Sequence, residues 1–156
     1  MSGARVADSP TRMSQYFDQM ILSASPVEMV NLLYQRAIRS VRDARKHMQE
    51  GRIQERCSAI NSAWAVLLEL LSSLDKESAP EISGRLRDLY TYMQGRLVEA
   101  NLKKDETPLA EVLMLLSTLS EAWSGVLVAE RTRQQGAEWS EVAVVDGQSY
   151  RFAVSA

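Results

Sequence analysis

From Val30 onward the apolar positions fall on Leu33, Tyr34, Ala37, Ile38, Val41, Ala44 and Met48, which is one continuous face of an α-helix. A second run, Ile53, Cys57, Ile60, Trp64, Leu67, Leu71 and Leu74, alternates steps of four and three, the seam of a helix packed lengthwise on its neighbours. A third run takes Ile82, Leu86, Leu89, Met93, Leu97 and Ala100, and a fourth takes Leu109, Val112, Leu113, Leu116, Leu119, Trp123, Val126 and Leu127. Each run predicts a rod of about 30 to 40 Å. The connections are short, so consecutive rods must run antiparallel, and the fold class is all-α: an up-down four-helix bundle.

The punctuation agrees with the period. Ser25-Pro26-Val27-Glu28 is a helix start: a Ser cap, a Pro whose missing N–H costs nothing in the first turn, and a Glu that can reach back to the cap. Ser78, Pro80 and Glu81 predict a second such box, and Thr107-Pro108 a third start. Gly51 and Gly136 stand where two patterned segments should close.

Two pieces fall outside the bundle. Residues 1–15 are small and polar with no period, which predicts disorder, and the short apolar segment from Tyr16 to Leu22 needs a surface to lie on because it is too short to be a stable helix alone. The tail from 137 to 156 changes period: Val-Ala-Val-Val, then Asp146-Gly147, then Tyr150, Phe152 and Val154 in alternation. That pattern predicts a short N-terminal segment, a bundle over 16–136, and a C-terminal β-hairpin.

Composition narrows the function. The 156 residues carry 18 Lys plus Arg against 20 Asp plus Glu, a net charge of −2, so there is no general attraction to nucleic acid or to anionic membrane. There is no basic leader followed by an apolar stretch, and no run reads as the ~20 apolar residues of a membrane span. With a single cysteine, the expected location is the cytoplasm. No catalytic, metal or cofactor site is expected either. The one histidine, His47, has Ala44 rather than Glu three places before it, which excludes a di-iron pattern, and the seven glycines never approach within a phosphate-loop spacing. Cys57 reads as a small hydrophobe on the second seam.

His47 raises one alternative, a histidine phosphotransfer bundle, but Glu50 stands where such modules place a basic residue. Near a helix C-terminus, His47 reads more simply as a charge favourable to the dipole. Arg36, Arg39, Arg42, Arg45 and Lys46 read as a solvated basic stripe.

The order of several motifs carries a resemblance. "ILSASPVEMVNLLYQRAI" after Tyr16, "LLSSLDKE", and "LRDLYTYMQGRLVEANLKKDETPLAEVLMLLSTLSEAW" together resemble the FliS family of flagellin-specific export chaperones, over residues 16–124. The resemblance implies antiparallel helices and a non-catalytic role, that of holding the C-terminal segment of flagellin in an apolar groove and presenting it to the flagellar export gate protein. It further implies that the N-terminal segment lies over part of that groove as a movable cover, with Tyr16 involved at the gate. Gln35, after Leu33-Tyr34, stands where many relatives carry an acid. The residues expected to bind client are Tyr16, Ile21, Leu22, Met29, Leu32, Tyr34, Leu68, Leu70, Tyr90, Tyr92, Met93 and Asn101. Among these, Met29, Leu32, Leu68, Leu70 and Tyr92 lie beside the predicted core stripes and should form an exposed apolar strip.

Overall fold

The computed structural model describes residues 25–145, and these form four α-helices: α1 (Pro26–Gln49), α2 (Ile53–Ser72), α3 (Pro80–Lys103) and α4 (Thr107–Val145). Each helix packs on its neighbours in sequence, and α4 returns to α1. The result is the expected antiparallel bundle, closed as a square. The predicted disorder of 1–15 and the segment holding Tyr16, Ile21 and Leu22 lie outside the described residues.

The start of α1 forms as its sequence requires. The Glu28 N–H donates to Ser25 Oγ at 3.2 Å, and the Ser25 N–H donates back to Glu28 Oε2 at 3.3 Å. At the other end Gly51, at φ 69°, turns the chain into α2. The second predicted box does not form. Ala79 is the N-cap of α3, with no side-chain capping bond, because Asp75 organises the loop instead. Asp75 Oδ1 accepts from the Glu77 and Ser78 N–H groups at 3.1 Å, and the Asp75 carbonyl accepts from Ser83 Oγ at 2.6 Å. Its bonds to Ser78 and Glu77 hold the Asp75 carboxyl below the usual range.

The core is built from Leu33, Tyr34, Ala37, Val41 and Ala44 of α1, Ile60, Ala63, Val66, Leu67 and Leu70 of α2, Tyr90, Met93, Leu97 and Ala100 of α3, and Leu109, Val112 and Leu116 of α4. In α2 the buried face is rotated from the predicted seam. Ala63, Val66 and Leu70 turn inward, while Ile53 and Trp64 are exposed. The physical reason is close approach: alanines at 37, 44 and 63 are wholly buried, so α1 and α2 pack with little side chain between them and the bulky indole is left outside. Alanine contributes little to a hydrophobicity pattern, so the pattern alone is drawn to the larger residues. Ile82 and Val126, also expected in the core, are exposed.

The tail corrects a second expectation. Residues 137–145, read as the first arm of a hairpin, continue α4 as helix, and Gly136 lies inside it. Extending an existing helix adds one hydrogen bond per residue fixed, whereas a hairpin needs a new nucleus. The Asp146-Gly147 turn and the alternation after it lie outside the described residues. Glu28 and Arg131 are paired at 3.4 Å beside the start of α1, and residues 132–145 continue α4 for about 20 Å past that pair at 1.5 Å per residue. Within Thr107–Ala137, α4 is also apolar enough, by length and composition alone, to cross a membrane, contrary to the sequence expectation. Its buried stripe of Leu109, Val112 and Leu116 places it instead as a wall of the bundle.

Candidate functional site

Ten large hydrophobic side chains are exposed among the described residues, and Ile53, Trp64, Leu68, Val98 and Leu102 share one seam. Two hydrogen-bond links set the register of that seam. Gln94 Nε2 donates to the Trp64 carbonyl at 3.3 Å, and Arg56 Nε donates to Asn101 Oδ1 at 3.1 Å. With α2 and α3 antiparallel, Leu68 and Trp64 therefore lie beside the stretch from Thr91 to Gly95, and Ile53 lies beside Leu102. Residues 53, 57, 64 and 68 occupy the α3-facing flank of α2, and residues 91, 95, 98 and 102 occupy the α2-facing flank of α3. The outcome is a long exposed apolar strip along the crease between the two helices, the α2–α3 furrow, open at Gly95, where nothing lies within 4 Å of a would-be Cβ.

A second apolar feature opens at the end of the bundle where α1 begins. A cavity of about 260 Å³ lies between Pro26, Val30, Leu74, Ile82, Tyr90 and Trp123. Residues 1–24 join the fold at its rim, through Ser25.

The residues singled out in the sequence do not assemble into one strip. Leu70, Tyr34, Tyr90 and Met93 are core, each no more than 1% exposed. The Tyr34 and Tyr90 hydroxyls bond to one another, and burial raises the pKa of both phenols. Met29 and Leu32 are half-buried on the α2-facing flank of α1. Tyr92 has an exposed ring, but on the opposite flank of α3, where its hydroxyl donates to Glu111 of α4. That bond raises the Tyr92 pKa and lowers that of Glu111. Arg96 joins the same patch, reaching Glu111 at 2.8 Å and Glu99 at 2.6 Å. Only Leu68 and Asn101 stand on the furrow. Asn101 Oδ1 accepts from Arg56 and, at 3.5 Å, from the Cys57 thiol.

Sequence reasoning missed Val98 and Leu102, although their spacing of four, off the core stripe of α3, was a visible signal. It assigned Ile53 and Trp64 to the interior. Gln35 reaches across to α4, donating to Ser120 Oγ at 2.8 Å. His47 is half-buried, with Nδ1 4.0 Å from Glu50, and shares an open recess with Asp43 and Glu55. That negative surround would repel a phosphoryl group. Of the basic stripe, Arg45 is engaged with Glu106, at 2.6 Å. No group of three or more His, Cys, Asp or Glu side chains among the described residues could hold a metal.

Comparison with known proteins agrees with this architecture. Residues 9–130 match the family model described as flagellar protein FliS. The flagellar secretion chaperone FliS of Salmonella typhimurium is 33% identical over 110 residues, covering 70% of this chain and 82% of the relative. FliSB of Pseudomonas aeruginosa, also a flagellar secretion chaperone, is 34% identical over 118 residues, covering 73% and 94%. The Bacillus subtilis FliS is 27% identical over 121 residues, covering 78% and 90%. The matched region ends at residue 130, where α4 leaves the bundle. The chain belongs to the FliS family of flagellar chaperones.

Proposed function

We propose that this chain is a cytoplasmic chaperone that binds the C-terminal segment of flagellin along the α2–α3 furrow and presents it to the flagellar export gate protein. The observation that carries the reading is the furrow itself. Five large apolar side chains on one seam, between 38% and 78% exposed, are a poor surface for a monomer in water and a good one for the apolar face of an amphipathic segment. Folding of such a segment on a partner buries on the order of 1,000 to 3,000 Å² and spends about 2 to 5 kcal/mol on ordering. Binding can therefore be firm and still reversible without nucleotide.

The apolar segment Tyr16–Leu22 joins the fold within a few residues of the end cavity, and in this reading it covers that cavity, moving or contributing when client or gate binds. Calorimetry with a synthetic C-terminal flagellin peptide tests the proposal: a dissociation constant of about 1 μM or tighter is expected, lost when Trp64 and Val98 are both changed to serine. Absence of binding by the unmodified chain would sink it. Tyr16→Ala with Leu22→Ala should change affinity for peptide or gate while leaving helicity near that of the parent, and unfolding of that variant would make the segment structural instead.

A further inference from the structure

One charged side chain on the furrow has no countercharge. Arg56, in the first turns of α2, is only 7% exposed, and no carboxylate of the described residues lies within 4.0 Å of its guanidinium. Its single side-chain bond runs from Nε to Asn101 Oδ1. Of the acidic groups at that end of the bundle, Glu99 is engaged by Arg96 and Lys103, Glu106 by Arg45 and Gln49, Glu50 by Arg52 and Asp105 by the Thr107 N–H, while Glu55 lines the recess beside His47 and makes no ion pair with Arg56. Most of the Arg56 side chain is buried while its terminal nitrogens still reach solvent, and a cation held at the start of a helix, where the dipole is positive, gains from an incoming anion.

The two terminal nitrogens of Arg56 and the Asn101 amide nitrogen bond to no other side chain or backbone group among the described residues. They are donors held side by side, by a bond that uses neither the outer fork of the guanidinium nor the amide N–H₂. A planar pair of acceptor oxygens fits that set.

We propose that Arg56 and Asn101 form a carboxylate-recognition point within the furrow, taking an Asp or Glu side chain of the bound segment. Ile53 and Leu102 continue the apolar strip on the far side of this pair from Trp64 and Leu68, so the bound chain passes over Arg56 rather than ending there. That favours a side-chain carboxylate over a chain terminus. The site gives the furrow a register: apolar contacts alone would let an amphipathic segment slide by a turn, and one desolvated charge pair fixes its position.

The inference rests on the reading of the chain as a chaperone for the C-terminal flagellin segment, and a two-way series separates the two. Synthetic flagellin C-terminal peptides, each with one Asp→Asn or Glu→Gln change, are titrated against the unmodified full chain, Arg56→Met and Arg56→Lys. One amide substitution should weaken binding to the unmodified chain at least about 10-fold while altering binding to Arg56→Met less than about 2-fold, with Arg56→Lys between. Should Arg56→Met fail to fold, the Lys variant carries the comparison, since it keeps the charge and loses the fork. Tight binding of the unmodified peptide with no substitution coupled to Arg56 overturns the carboxylate site and leaves the chaperone reading standing. Coupling confined to a C-terminally amidated peptide overturns the side-chain assignment. No binding of the unmodified peptide removes both.

Discussion

Tyr34 of α1 and Tyr90 of α3 sit on diagonally opposed helices, yet their hydroxyls bond to each other in the middle of the bundle. Their ring centroids are 6.4 Å apart, and Tyr34 also lies 6.5 Å from the Trp123 ring of α4. One buried polar contact thereby ties α1 to α3, and a ring contact adds α4. Phenylalanine would fill nearly the same space, so the hydroxyls specify which side chain faces which.

Removing one hydroxyl strands the other. Tyr90→Phe should cost about 1 to 3 kcal/mol, whereas the double change Tyr34→Phe with Tyr90→Phe should cost less than the single one. Urea denaturation of the three variants checks the ordering, and strict additivity of the two single effects would refute the pairing.

The same pair makes a prediction at alkaline pH. Both phenols have folded-state pKa values raised above the unfolded value near 10, chiefly by burial. Their contribution is therefore complete below pH ~10 and is lost as pH rises further, because the unfolded chain releases protons that the folded one keeps. The midpoint of thermal unfolding should fall as pH rises above about 10 in the parent and fall less in the double Phe variant, as circular dichroism would record.

The two Ser-Pro-type starts should respond differently to mutation. Ser25→Ala breaks a formed capping box and should cost about 1 kcal/mol. Ser78→Ala touches no cap and removes only an exposed side-chain bond to Asp75, so it should cost less than about 0.5 kcal/mol, while Asp75→Ala, which also removes the acceptor for two N–H groups, should exceed it. If Ser78→Ala proved as damaging as Ser25→Ala, the account of the α2–α3 loop would be wrong.

Surface and core should separate cleanly along α2. Leu68→Ser alters an exposed side chain and should shift stability by less than about 1 kcal/mol, whereas Leu67→Ala and Leu70→Ala, both 0% exposed, should each cost about 2 to 5 kcal/mol, with Trp64→Ser, 38% exposed, between them. Equal losses at Trp64 and Leu67 would return the indole to the interior and close the furrow.

Beyond Glu28 and Arg131, α4 continues as helix, and its residues 131–137 are all exposed. Ending the chain after residue 131 should leave the unfolding midpoint within a few degrees of the parent while lowering the helical circular dichroism signal by the share of residues 132–145. Retention of the full helical signal would mean that the extension is not helical in solution.

Periodicity along the chain determined that there are four rods, where they start and turn, and that they run antiparallel, because apolar spacing and caps act within a few residues of their own backbone. The Ser25 box, the Gly51 turn and the stripes of α1 and α4 were legible for that reason, and the motif order made the family legible as well. Tertiary packing alone decided which flank of each helix stayed dry. The buried alanines at 37, 44 and 63 let two helices close up and turned Trp64 out, the diagonal contact drew Tyr34 and Tyr90 inward, and Met29, Leu68 and Tyr92 were dealt to three different flanks. A helix presents the same sequence to every side, and only the distance to its neighbours selects which residues meet water.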